Sequence, residues 1–85
     1  MGRYLAELYL SKGAASDVAS ATARARAAAG AGEEDTPVRC LRSIFVPEDE
    51  TWFLLYDAPT AEAVQRAVGR ADLPCARVVE AVTPQ

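Results

Sequence analysis

The sequence contains no histidine. That absence removes His-based nucleophilic triads, the usual general base near neutral pH, and most zinc and nickel sites of ordinary composition. Cysteine is scarce: Cys40 and Cys75 are the two, each among apolar neighbours and without CxxC spacing. They read as reduced, partly buried small hydrophobes rather than as a disulfide or a redox pair. Basic excess is missing too. The net charge is −3, and Arg24, Arg26, Arg39, Arg42, Arg66, Arg70 and Arg77 are scattered without a stripe of interleaved aromatics. This argues against nucleic acid and against a membrane surface as partners. No apolar run approaches the roughly 20 residues of a membrane span. Met1-Gly2-Arg3 leads straight into a patterned segment, without the layout of a signal peptide. Ala6 stands where a myristoylation signal needs Ser or Thr. The expectation is a cytoplasmic protein with no membrane contact.

Apolar residues make up 51% of the 85-residue chain, too large a share for a disordered segment. Much of that share is alanine, so the core must be built from Leu, Ile, Val, Phe, Tyr and Trp. A chain of this length forms one domain, 1–85, and buries only about 60–65% of its unfolded surface. A second subunit is a common remedy for so thin a margin.

Arg3–Leu10 has strand length and composition, and Ser11-Lys12-Gly13 closes it. Ala14 to Ala29 reads as a helix with Ser16 as N-cap and Asp17 in its first turn, ended by Gly30-Ala31-Gly32. Val38–Val46 and Thr51–Tyr56 flank the turn Pro47-Glu48-Asp49-Glu50 and predict a hairpin. Asp57 or Thr60 can cap a second helix with the apolar stripe Val64, Ala67, Val68 and Ala71, stopped at Leu73-Pro74. Arg77–Val82 is the last strand. The order predicts an α+β domain of ferredoxin-like βαββαβ topology: a four-stranded antiparallel sheet, first and third strands central, with both helices on one face.

One sheet face is therefore left without helices. Alternation assigns Ala6 and Leu8, Phe53 and Leu55, and Val79 and Ala81 to the helix side. The uncovered set is then Leu5, Glu7 and Tyr9; Trp52, Leu54 and Tyr56; and Val78, Glu80 and Val82. In the second strand, Arg39, Leu41, Ser43 and Phe45 are placed on the uncovered face, and Val38, Cys40, Arg42 and Ile44 on the other. Such a face is too apolar for water, which predicts a homodimer with sheets packed face to face. The same assignment brings Glu7 and Glu80 together, with Tyr9, Ser43, Trp52 and Tyr56 around them. That is a candidate ligand pocket, and the two carboxylates are candidate metal ligands. Oxygen-only ligation favours a hard divalent cation over zinc or nickel. The bland alternative is that each glutamate meets Arg39, Arg42 or Arg77.

Other signals carry less. Gly30-Ala31-Gly32 follows a helix and lacks a third glycine, so it is a helix stop rather than a dinucleotide fingerprint. Glu33-Glu34-Asp35 and Glu48-Asp49-Glu50 lack EF-hand spacing and read as solvated loops.

Four stretches carry a family resemblance: Tyr4-Leu5-Ala6-Glu7-Leu8-Tyr9-Leu10; Val38-Arg39 with Ser43; Leu55 through Val64; and Leu73-Pro74-Cys75-Ala76-Arg77-Val78-Val79-Glu80. Together they resemble a small bacterial family of unknown function that includes a nickel-binding, nickel-responsive protein of actinobacteria. The resemblance covers nearly the whole chain. It implies a ferredoxin-like fold and a homodimer, raises nickel as a ligand, and matches Glu7 and Glu80 to glutamates of the family pattern. The chain departs from it in having no histidine, and in carrying Leu54 or Leu55 where a cysteine is expected in the third strand. The alanine- and arginine-rich composition suits an actinobacterial source.

Three function classes follow, the third of them a purely structural or regulatory partner with no pocket. The first is a non-enzymatic, dimeric binding protein for a small molecule or metal ion. The second is a small dimeric α+β barrel enzyme, cyclase-like or monooxygenase-like, with Glu7 or Glu80 as acid/base and Tyr9, Trp52 and Tyr56 shaping an apolar pocket.

Overall fold

The computed structural model describes residues 2–31, 37–74 and 77–82. Cys75, the acidic run 33–35 and the tail 83–85 lie outside the described residues. The elements in chain order are β1 (Gly2–Tyr9), α1 (Val18–Gly30), β2 (Arg39–Val46), β3 (Thr51–Ala58), α2 (Ala61–Arg70) and β4 (Arg77–Ala81). The four strands form one antiparallel sheet in the order β2-β3-β1-β4, so β3 and β1 are central. This is the ferredoxin-like arrangement expected from the sequence.

Local chemistry explains the boundaries. Thr60, in extended conformation, caps α2: its hydroxyl accepts from the Ala63 N–H at 3.1 Å. Glu62 in the first turn and Arg70 in the last complement the helix dipole. The entry to α1 differs from expectation. Residues Lys12–Asp17 form a 3₁₀ turn, capped by the Ser11 hydroxyl, which accepts from the Gly13 N–H. Asp17 rather than Ser16 then precedes α1, and its side chain makes no capping bond. The Lys12 N–H donates to the Glu50 carboxylate at 2.8 Å, which ties this turn to the β2–β3 hairpin. Glu50 closes that hairpin in left-handed backbone conformation, with φ 49°.

The core lies between the helices and one sheet face. The helices contribute mostly small side chains: Ala21, Ala25 and Ala29 from α1, and Ala63, Val64, Ala67 and Val68 from α2. The sheet contributes the bulk, with Trp52, Tyr56, Leu8 and Leu54 the largest fully buried side chains of the strands. The helices are also tied to each other at their ends. Arg24 Nε donates to the Ala71 carbonyl, and Arg70 Nε to the Ala28 carbonyl, satisfying oxygens that helix ends leave unpaired.

Candidate functional site

Register decides which side chains share a face. Three cross-strand rows point at the helices: Cys40–Tyr56–Tyr4–Glu80, Ser43–Leu54–Ala6–Val78 and Phe45–Trp52–Leu8. Four rows point away: Arg39–Asp57–Arg3–Ala81, Arg42–Leu55–Leu5–Val79, Ile44–Phe53–Glu7–Arg77 and Val46–Thr51–Tyr9.

The expected face assignment holds for β1 and for the start of β2, and is reversed in the rest of β2, in β3 and in β4. In β3, Trp52, Leu54 and Tyr56 are the buried set, while Phe53 and Leu55 are uncovered. The strand is apolar on both faces, so alternation gave no contrast to read. In β4, Val78 and Glu80 turn toward the helix side, while Val79 and Ala81 do not. In β2, a register shift between Cys40 and Arg42 changes parity midway. Val38 and Cys40 stay on the helix side as expected, but Ser43 and Phe45 join them, and Arg42 and Ile44 turn outward. A bulge of this kind leaves no mark in a simple two-residue repeat.

The six candidate site residues therefore separate. Glu7 and Tyr9 lie on the uncovered face; Ser43, Trp52, Tyr56 and Glu80 lie on the other. Glu7 and Glu80 stand on opposite faces of the sheet and cannot share an ion within one subunit. Glu7 pairs with Arg77, its direct cross-strand neighbour. The hydrogen bond and charge of Arg77 hold the Glu7 carboxyl below its ordinary value. The reading in which a glutamate meets an arginine is thus the one realised at this position.

Ser43 and Trp52 are joined, but as core. Trp52 Nε1 donates to Ser43 Oγ at 2.7 Å, and Ser43 Oγ shares a 2.8 Å hydrogen bond with Thr22 Oγ1 on α1. Tyr56 is fully buried beside Cys40. Burial pushes the Cys40 thiol up, and Arg26 and Tyr56 only partly oppose it. Tyr9 is 64% exposed, and its hydroxyl makes a long 3.5 Å bond to Glu50.

The uncovered face has an apolar centre. Leu5, Phe53, Leu55 and Val79 are half-buried and contiguous, and Ile44 is 52% exposed. Arg39, Asp57 and Arg3 border the centre on one side, and Glu7 with Arg77 takes one corner. An apolar centre with a charged rim is the usual anatomy of an interface.

A nickel responsive protein family, SCO4226-like, matches residues 4–81. The chain belongs to this family. No curated protein matches it. Among solved structures, the crystal structure of SCO4226 from Streptomyces coelicolor A3(2) superposes with a TM-score of 0.79, covering 98% of this chain and 99% of that one at 21% identity. At that identity the likeness speaks for the fold alone.

The family name makes nickel the first cofactor to test against the SCO4226-like residues present. They do not fit it. Histidine is absent from the sequence. Among the described residues, no three His, Cys, Asp or Glu side chains cluster as a metal site. Cys40, the one cysteine among the described residues, stands beside Tyr56 on the helix side of the sheet without a second such donor near it. No helix among the described residues is long and apolar enough to cross a membrane.

Proposed function

We propose that this SCO4226-like chain is a non-enzymatic small-ligand-binding protein that works as a homodimer, two sheets packed on their uncovered faces. The observation that supports this reading is the belt of Leu5, Phe53, Leu55, Val79 and Ile44 across all four strands. Side chains of this size stabilise an association by about 25 cal/mol for each Å² of apolar surface removed from water. A two-fold axis through the belt lets the same patch cover itself. Glu7, Arg77 and Tyr9 then stand at the mouth of the space between the sheets, where a ligand with polar groups would meet them. The ligand class that suits this mouth is a small organic molecule rather than nickel.

The enzymatic alternative has less support. A general acid or base needs a pKa near the working pH, and Arg77 moves Glu7 away from that range. Glu80 is on the other side of the sheet.

Sedimentation equilibrium of the intact chain and of Leu55→Glu tests the dimer. The wild type is expected as a dimer and the variant as a folded monomer with unchanged far-UV circular dichroism. A wild type that stays monomeric at its highest soluble concentration overturns the proposal.

A further inference from the structure

At the end of the sheet where β1 runs out, on the helix side, a cleft of about 300 Å³ opens between the start of α1 and the α2–β4 turn. Leu8 and Trp52 form its floor, each only 2% exposed, and Leu73 closes one wall. Its rim carries Asp17, Arg24 and Asp72. The backbone sets these three charges. Asp17 directly precedes α1, and its carboxylate makes no capping bond. Asp72 sits in left-handed conformation at φ 57°, its N–H donating to the Gly69 carbonyl at 3.0 Å. Arg24 is drawn against the end of α2 by its bond to Ala71. Among the described residues, neither aspartate carboxylate has an ion-pair or hydrogen-bond partner.

We infer that this cleft binds a small organic ammonium ion, with one ring or short branched chain on Leu8, Trp52 and Leu73 and its cationic nitrogen between Asp17 and Asp72. Size sets the first limit. A dry apolar cavity of about 150 Å³ holds a benzene ring, so this cleft takes a ring with a two- or three-carbon arm. Charge sets the second. Two aspartates against one arginine leave the rim net negative, which favours a cation and opposes a carboxylate of the same shape. The cleft floor lies on the opposite side of the sheet from the apolar belt, with Tyr9 of the uncovered face at its edge, and no belt residue lines it, so the inference does not depend on two copies associating there.

Trp52 is the chain's one tryptophan and forms the cleft floor, so its fluorescence reports occupancy. The probe is 2-phenylethylamine, with phenylacetate as the anion of matching shape, titrated into the intact chain at low salt. The amine is expected to give a saturable change and phenylacetate none. Asp17→Asn with Asp72→Asn should weaken the amine about fivefold, the combined effect of two exposed charge contacts. Ser20→Leu, which crowds the mouth and keeps both carboxylates while giving up the Ser20 hydroxyl's bond to the Asp17 carbonyl, should abolish the response. Leu55→Glu should leave it unchanged, which separates this inference from the dimer proposal. Equal responses to amine and acid, unweakened binding in the folded double aspartate variant or in Ser20→Leu, or loss of binding in Leu55→Glu would each overturn it.

Discussion

The two faces of this sheet are both apolar, yet they are built to different specifications. The covered face carries Trp52, Tyr56, Leu8 and Leu54, and the helices that meet it offer chiefly alanine. The uncovered face carries Leu5, Phe53, Leu55, Val79 and Ile44 inside a border of charge. Hydrophobicity alone does not separate them; volume does. An alanine-lined helix packs close to the sheet but fills little space, so the strand side chains beneath it must be large to reach normal packing density. Where polar atoms come with that bulk, they are tied off internally, as the Trp52–Ser43–Thr22 chain shows.

Adjacent residues in β3 give the largest test of this contrast. Trp52→Ala should cost about 3–5 kcal/mol, the usual range for deleting a large aromatic from a packed core. Phe53→Ala, one residue along and on the other face, should cost the isolated subunit less, about 1–2 kcal/mol, since its side chain is only half-buried there. Chemical denaturation at the lowest usable protein concentration measures both. At high concentration the Phe53 variant should lose the stabilisation that association confers. Equal costs at low concentration would break the distinction between the faces.

The Ser43 hydroxyl offers a second, smaller test. It serves Trp52 at 2.7 Å and Thr22 at 2.8 Å. Ser43→Ala removes little volume but leaves the indole N–H and the Thr22 hydroxyl without that partner. The expected cost is about 1–3 kcal/mol, the penalty for unsatisfied buried polar groups. Urea melts of Ser43→Ala beside Ser43→Thr distinguish loss of the hydroxyl from loss of shape, since threonine keeps the bond. A neutral Ser43→Ala would mean that water reaches this part of the covered face.

These particulars also mark how far the sequence could be read. Element order, the hairpin turn, the Thr60 cap and the sheet order followed from strand-length runs, helical spacing and turn residues, signals that act over a few positions. Facing is legible throughout only in β1, where Glu7 and Tyr9 contrast with Ala6 and Leu8, and in β2 only as far as Cys40. In β3 every residue from Trp52 to Tyr56 is apolar or aromatic, so the deciding fact is the smallness of the helix side chains opposite. That information sits elsewhere in the chain. In β2 the register shift after Cys40 reverses parity without any glycine or proline to announce it. The candidate site residues separate for the same reason: Glu80 takes its face from β4 and Glu7 from β1, and the register sets them on opposite sides of the sheet. The alanine-rich helices are the signal that places Trp52 and Tyr56 inside, since only large strand side chains fill the space such helices leave. The cleft below Asp17 and Asp72 had no signal in local pattern, because it depends on where the 3₁₀ turn ends and on the backbone at Asp72.

The smallest expected effect concerns charge at the border of the uncovered face. Arg77 lowers the Glu7 carboxyl from its ordinary value of 4.5, chiefly through their hydrogen bond, and Arg77 itself is raised. A carboxylate with a depressed folded-state pKa binds its proton more readily when unfolded. Its stabilising contribution is therefore complete above the unfolded value and fades as pH falls through the folded one. The raised arginine acts in the opposite sense only at strongly alkaline pH, outside any working range. The gap in stability between wild type and Glu7→Gln should be constant above about pH 5.5, a unit above the ordinary carboxylate value, and should close in acid. The pair is exposed in one subunit and should be weak there, and weaker still in high salt. Trp52→Ala should show no such closing, because the groups it removes do not titrate in that window. Melts of the two variants across pH, at low and high protein concentration, measure the difference. A Glu7→Gln gap that widened in acid would reverse the assigned sign. A gap that grew with protein concentration would place the Glu7–Arg77 corner inside the proposed interface rather than at its edge, because only a buried pair escapes solvent screening.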